Sequence, residues 1–357
     1  MDSLITSESC LIGDEEMSII DETNRKQHIY PTYARNFITY RWYKPIITGV
    51  LFVVLYVAIV FGVAMGAGYL LELKGIDVRD FMSFGATSYD NFNIHDWQGS
   101  LINLGAVVLM LPALFLARAL VRERPFSSYS SARGGWDMGV FLKCFAILFP
   151  IMVVFTFAKS YFIDHENMIQ LFHNKFTILS FVLVTVLGPL QCIAEEYIYR
   201  GLLMQAIGSW VRVPVIAVIL QAALFAASHP YNTTGKLAIL ASGTAMGLAA
   251  WIGRGLEVSS AVHAANNMTA FYLVGFSMGS VGTNVTTEGL ISDIVIYAIF
   301  VIILLILRKT THIFDRVKKE DADRWNYKIE DKRARRAAKV ADRTAKKEGS
   351  YGKHDIH

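Results

Sequence analysis

Residues 45–71 read PIITGVLFVVLYVAIVFGVAMGAGYLL, 27 positions without a charged side chain. A helix of that length rises about 40 Å, more than the roughly 30 Å of hydrocarbon in a bilayer requires. This stretch therefore reads as a transmembrane helix and decides the class of the fold. Working outward, seven more apolar segments follow near 100–120, 139–163, 176–208, 214–230, 236–253, 257–278 and 288–307, so the spacing predicts eight spans in all. The fourth contains Gly188-Pro189, where a kink or restart is expected because proline removes a backbone donor and crowds the preceding turn. The fifth is short, with an uncertain boundary at Pro230.

The composition agrees. The 357 residues are 54% hydrophobic and only 18% charged, with a mean hydropathy of +0.39. Soluble domains carry about 25% charged residues, so lipid is the expected solvent. Cys10, Cys144 and Cys192 have neither disulfide nor metal spacing; a net charge of +4 is too small to bear on nucleic acid, and no nucleic-acid partner is expected. The predicted fold is all-α, a polytopic membrane bundle of about eight helices. An N-terminal arm over 1–45 precedes spans 1–3 (46–175), a core of four spans (176–280), an eighth span (281–308) and a basic tail (309–357). The arm carries acidic residues between Asp14 and Glu22 and lacks the short basic start of a cleaved leader, so it is expected to be retained.

Basic residues alternate from loop to loop. Arg25, Lys26, Arg35, Arg41 and Lys44 precede span 1, and Arg118, Arg122, Arg124 and Arg133 separate spans 2 and 3. Arg212, Arg254 and Arg308-Lys309 mark the later loops on the same side, and the intervening loops are poorer in charge. An even number of spans with both termini cytoplasmic satisfies this pattern, and a cell membrane is the expected location. In the tail, DKRARRAAKVADRTAKKEGS suits a surface helix, chiefly as a solvated segment anchoring the last span, with anionic lipid contact as the alternative.

Ionisable residues inside spans are functional candidates, because lipid penalises them. Span 4 holds Gln191-Cys-Ile-Ala-Glu195-Glu196-Tyr-Ile-Tyr-Arg200. Glu196 and Arg200 are four apart and expected to pair, whereas Glu195 is rotated by about 100° and expected to face elsewhere. Span 5 ends in Phe225-Ala-Ala-Ser-His229, and span 7 contains His263-Ala-Ala-Asn-Asn267. Glu195 and His229 lie at equal distances in sequence from the turn at Arg212, so they are expected at similar depth on neighbouring helices. The expectation is a polar chamber lined by Glu195, Glu196, His229, His263 and Asn267. For any one of these residues alone, a structural role is as good a reading; their convergence favours a functional one.

The ordered trio EExxxR, FxxxH and HxxxN on three separate helices resembles the signature of the CPBP family, the CAAX protease and bacteriocin-processing intramembrane proteases. That family includes the type II CAAX prenyl proteases. The likeness covers roughly residues 180–270; Gly201 after the arginine and the Gly243-xxx-Gly247 run fit it too. Residues 1–135 and the tail contribute nothing to it.

The resemblance implies peptide-bond hydrolysis within the membrane, acting on a membrane-associated peptide or protein. In this reading Glu195 is the general base, since a carboxylate kept from water holds a proton more readily. His229 orients the water, and His263 and Asn267 donate to the oxyanion. Glu196 assists, with Arg200 and Phe225 as structural support. Either no cofactor is needed, or Glu195, His229 and His263 hold Zn²⁺ with a water in the fourth position. The HExxH pattern of helix-borne zinc peptidases is absent, and His165-Glu166 is followed by Asn-Met-Ile in an outer loop. The glutamate-activated water is the preferred reading. Outside this class, the rival is a non-catalytic scaffold or transporter that uses the same chamber.

Overall fold

In a computed structural model of the chain, the described residues are 29–79, 93–163, 175–276, 283–315 and 321–351. They are helical almost throughout. After a short 3₁₀ segment at Tyr30–Asn36 come α1 (Lys44–Leu73), α2 (Trp97–Val108), α3 (Met110–Val121), a single turn α4 (Ser127–Ser130) and α5 (Met138–Ile163). Next are α6 (Ile178–Glu196), a π-helical segment (Tyr197–Met204), α7 (Gln205–Val211), α8 (Pro214–Ala227), α9 (Thr233–Ile252), α10 (Leu256–Gly275), α11 (Thr287–Thr310) and α12 (Asp321–Tyr351). The acidic stretch 14–22, Cys10, Arg25, Lys26 and His165-Glu166 lie outside the described residues.

Helices occupy all eight predicted positions. Six stretches are long and apolar enough to cross a membrane, with α2–α3 and α6–α7 each counted as one. The other two differ for separate reasons. Helix α8 is apolar but has 14 residues, a rise of about 21 Å. Helix α10 has 20 residues but is more polar than the six, and it is enclosed by protein. Ten consecutive residues from Leu256 to Ala265 are buried, and α10 contributes side chains to all three hydrophobic clusters of the bundle. A central helix meets side chains instead of lipid on every face, so Ser259, Ser260, Ala261 and Ala264 serve it by allowing close approach. Helix α1 is the opposite case, with Val50, Val54, Val57 and Phe61 exposed as a lipid-facing surface.

Loops from alternate connections meet at each end. At one end, Ala132 N–H donates to Arg254 O (2.9 Å), Arg35 donates to Ser209 O (3.1 Å), and Trp210 Nε1 donates to Trp42 O (2.8 Å). At the other, Lys175 N–H donates to Gly275 O (3.0 Å) and Thr177 N–H to His95 O (3.2 Å). The helices therefore alternate in direction, and the segment before α1 shares an end with α12. Three helix termini at that end turn through arginines in the left-handed region, Arg122, Arg212 and Arg254, with φ of 52°, 62° and 58°. A cation there opposes the negative end of the helix dipole.

Two sequence expectations need correction. Helix α6 continues through Pro189 without restarting there, and the change from α to π hydrogen bonding comes later, after Glu196. Gly188 instead admits α10, since a Cβ there would stand 2.5 Å from Met268 Sδ and 3.4 Å from Phe271. Gly188→Ala is expected to lower stability by about 1–3 kcal/mol through overpacking, measured as a fall in Tm in detergent. The second correction concerns Arg124 and Arg133, counted above as loop charges that set orientation. Both are buried and committed to internal partners. Arg133 Nη2 lies 2.9 Å from Glu257 Oε2, and Glu257 Oε1 accepts from Asp137 N–H at 2.8 Å. That pair fastens the loop before α5 to the first turn of α10.

Candidate active site

The π segment begins directly after Glu196, at the first motif. Its wider turns leave carbonyls to be satisfied from outside, and Arg124 does so, with Nη2 donating to Gly201 O at 3.2 Å and Nη1 donating to Gln205 Oε1. Gln205 Nε2 in turn donates to Ser128 O (3.2 Å), and the Arg124 guanidinium stacks 3.8 Å from the Tyr129 ring centroid. This cap is dry. Burial raises the Glu123 carboxyl above its usual range against the pull of Arg124, and pushes the Tyr129 phenol up to about 12.

Beneath the cap the three motifs converge. Glu196 and Arg200 pair as the spacing predicts, with Arg200 Nη1 2.7 Å from Glu196 Oε1 and both side chains fully buried. Arg200 Nη2 also donates to Gly243 O (3.1 Å), a carbonyl that accepts from Gln221 Nε2 at 2.9 Å. The Gly243-xxx-Gly247 run permits this approach: a Cβ on Gly243 would stand 3.2 Å from Ala222 Cβ, and one on Gly247 2.7 Å from Gln221 Nε2. Phe225 places its ring 4.6 Å from the Arg200 guanidinium, a cation–π contact.

His263 is where the acids meet. Its Nδ1 is 2.9 Å from Glu196 Oε1 and its Nε2 is 3.4 Å from Glu195 Oε2. Glu195 therefore does not face away from its neighbour's site, as a helical wheel suggests. The two nitrogens of one imidazole lie on opposite edges of the ring, so carboxylates about 100° apart on α6 reach it from either side. The environments of the two acids still differ, since Glu196 is fully buried and Glu195 retains 14% side-chain exposure.

Asn267, one turn beyond His263, lies with Nδ2 3.3 Å from His263 Nε2 and donates from the same nitrogen to Gln191 Oε1 at 3.2 Å. Sequence reasoning did not single out Gln191 as a site residue. Its signal was present in its position four residues before Glu195, on the same face of α6. Cys192 Sγ is 3.5 Å from the same Gln191 oxygen.

His229 joins the set through Phe225. Its Nδ1 donates to Phe225 O at 2.7 Å, which fixes the ring against the end of α8. The Phe225 ring centroid is 4.5 Å from that of His229 and 6.1 Å from that of His263. Tyr199 donates to Ser228 Oγ at 2.7 Å, so the end of α8 reaches the level of the first motif, as the equal distances from Arg212 predict. The zinc set Glu195, His229 and His263 fits poorly. Among the described residues, no three His, Cys, Asp or Glu side chains gather closely enough to hold a metal ion.

No curated protein and no solved structure matches the chain. Residues 175–269 match the family model described as type II CAAX prenyl endopeptidase Rce1-like. All three motifs fall inside that segment, so this part of the chain is similar to the type II CAAX prenyl endopeptidases.

Proposed function

We propose that the chain is an intramembrane endopeptidase that hydrolyses a peptide bond of a membrane-associated, CAAX-type substrate with water activated by Glu195. The observation that carries this reading is the convergence of Glu195 and Glu196 on His263. One carboxylate is neutralised by Arg200, and the other is the more exposed. In this scheme Glu195 accepts a proton as a water oxygen bonds to the scissile carbonyl carbon. The C–N bond then breaks, and the proton passes to the leaving amine. His229 orients the water. His263 donates from Nε2 toward the oxyanion beside Asn267 Nδ2, while Glu196 holds the ring through Nδ1. Removing one oxyanion donor costs about 10²–10³ in rate in other hydrolases. The basic loops orient both termini toward the cytoplasm.

The direct experiment presents a farnesylated CAAX peptide to the purified protein in lipid and measures release of the C-terminal peptide by mass spectrometry. Cleavage is expected, and it is expected to persist after chelator treatment. Loss of turnover that returns with added zinc would replace the glutamate-activated water with the metal-dependent form. Gln191 acts here as a positioning residue. Gln191→Leu should reduce kcat by about 10-fold to 100-fold, as small misplacements of reacting groups do, with KM little changed. A purely structural role would instead appear as a lower Tm at unchanged kcat.

A further inference from the structure

The helix that follows the last span has one face with no role in the site. Among the described residues, helix α12 docks by its first turns. Ala322 is buried, Trp325 Nε1 donates to Thr39 Oγ1 (2.9 Å), and the Arg118 guanidinium lies 5.4 Å from the Trp325 ring centroid. Asn326 accepts from Ile38 N–H and donates to Asn36 O, both at 2.9 Å. Arg118 belongs to the last turn of α3, so this docking point is level with the end of a membrane-spanning segment. Exposed Trp42, Tyr43 and Trp210 stand at the same end, as aromatic side chains do at a membrane–water interface. The start of α12 is thereby set at the rim of the bilayer.

Beyond the docking point the described residues 332–341 are all exposed. At 100° per residue, Lys332, Arg336 and Lys339 fall within about 40° of the direction of Trp325, and Lys328 within about 60°. Asp323, Glu330 and Asp331 fall at least about 120° away, and Asp331 pairs with Arg335 at 3.0 Å. The face that meets the protein at the membrane rim thus continues as a cationic stripe about 17 Å long from residue 328 to 339, with the acids on the far side. Alanines 334, 337, 338 and 341 offer little apolar surface for insertion. Contact with phosphate and carboxylate headgroups suits the stripe better than burial among acyl chains.

We propose that α12 lies along the membrane surface and binds anionic lipid headgroups through Lys332, Arg336 and Lys339, with Lys328 at the edge. Each basic residue near an anionic surface adds attraction, and the attraction is screened by salt. The test uses the full chain in nanodiscs of phosphatidylcholine alone or with about one-third phosphatidylserine, following backbone amide exchange over residues 328–341. With phosphatidylserine, exchange should slow by about tenfold or more, and the slowing should vanish near 1 M salt, where the Debye length is about 3 Å. Lys332→Gln, Arg336→Gln and Lys339→Gln together should abolish the slowing, and Lys332→Arg with Lys339→Arg should retain it. Equal exchange in both lipids overturns the proposal. Equal slowing in both also overturns it, because the protein itself would then be holding the helix. Slowing in neutral discs only when an RNA oligonucleotide is added would assign the stripe to nucleic acid.

Discussion

Glu195→Gln is expected to reduce peptide hydrolysis by about 10³-fold or more, toward the upper end of the roughly 10²–10⁴ contributed by a positioned general base. The substitution keeps the side chain's shape and removes only its capacity to take a proton. Folding should be little affected, because Glu195 is partly exposed and its contact in the site is His263 at 3.4 Å, with no buried guanidinium paired to it. The measurement is turnover of the prenylated peptide alongside Tm in detergent. Full activity in this variant would remove Glu195 as the base, and with it the mechanism proposed here. A scaffold that uses the same chamber would lose nothing. In cells the same variant should accumulate uncleaved substrates, which would identify the physiological class.

Arg200→Met is expected to have the largest effect on stability, about 3–5 kcal/mol, the usual cost of leaving one member of a buried ion pair without its partner. Three contacts go together: the 2.7 Å pair with Glu196, the bond to Gly243 O and the stacking on Phe225. The loss should appear as a large fall in Tm and in yield. Adding Glu196→Gln removes the orphaned charge, so the double variant should recover part of the loss, and the cycle of single and double variants isolates the coupling. If the single and double variants melt at the same temperature, Arg200 is not what holds Glu196 as an anion. The division of labour between the two carboxylates would then have to be redrawn.

Much of this molecule is legible in its sequence. The uncharged run at 45–71 and most of its successors follow from local apolarity, which lipid selects residue by residue, and helices stand at all eight positions. The pairing of Glu196 with Arg200 is likewise local, since i,i+4 spacing is a property of one helix. The three motifs that meet in the site were also visible, because polar groups stand out where the solvent is hydrocarbon.

What the tertiary structure decided is how separate helices face one another. The convergence of both carboxylates on His263 needs an imidazole from α10 between them, and no wheel drawn on α6 contains it. Gln191 is an ordinary span residue by sequence, and the fold brings Asn267 Nδ2 to 3.2 Å from its Oε1. The polar character of α10 lowered its hydropathy as a span and proved to be the composition of a helix enclosed by others. Arg124 and Arg133 carry the sequence pattern of orientation signals, yet they are buried in polar clusters that brace the site. By itself the sequence determined the apolar character of the chain, the positions of its helices and the local Glu196–Arg200 pair, because each follows from the chemistry of neighbours along one chain segment. Only the fold decided which nitrogen meets which oxygen, because those distances depend on the packing of helices far apart in sequence.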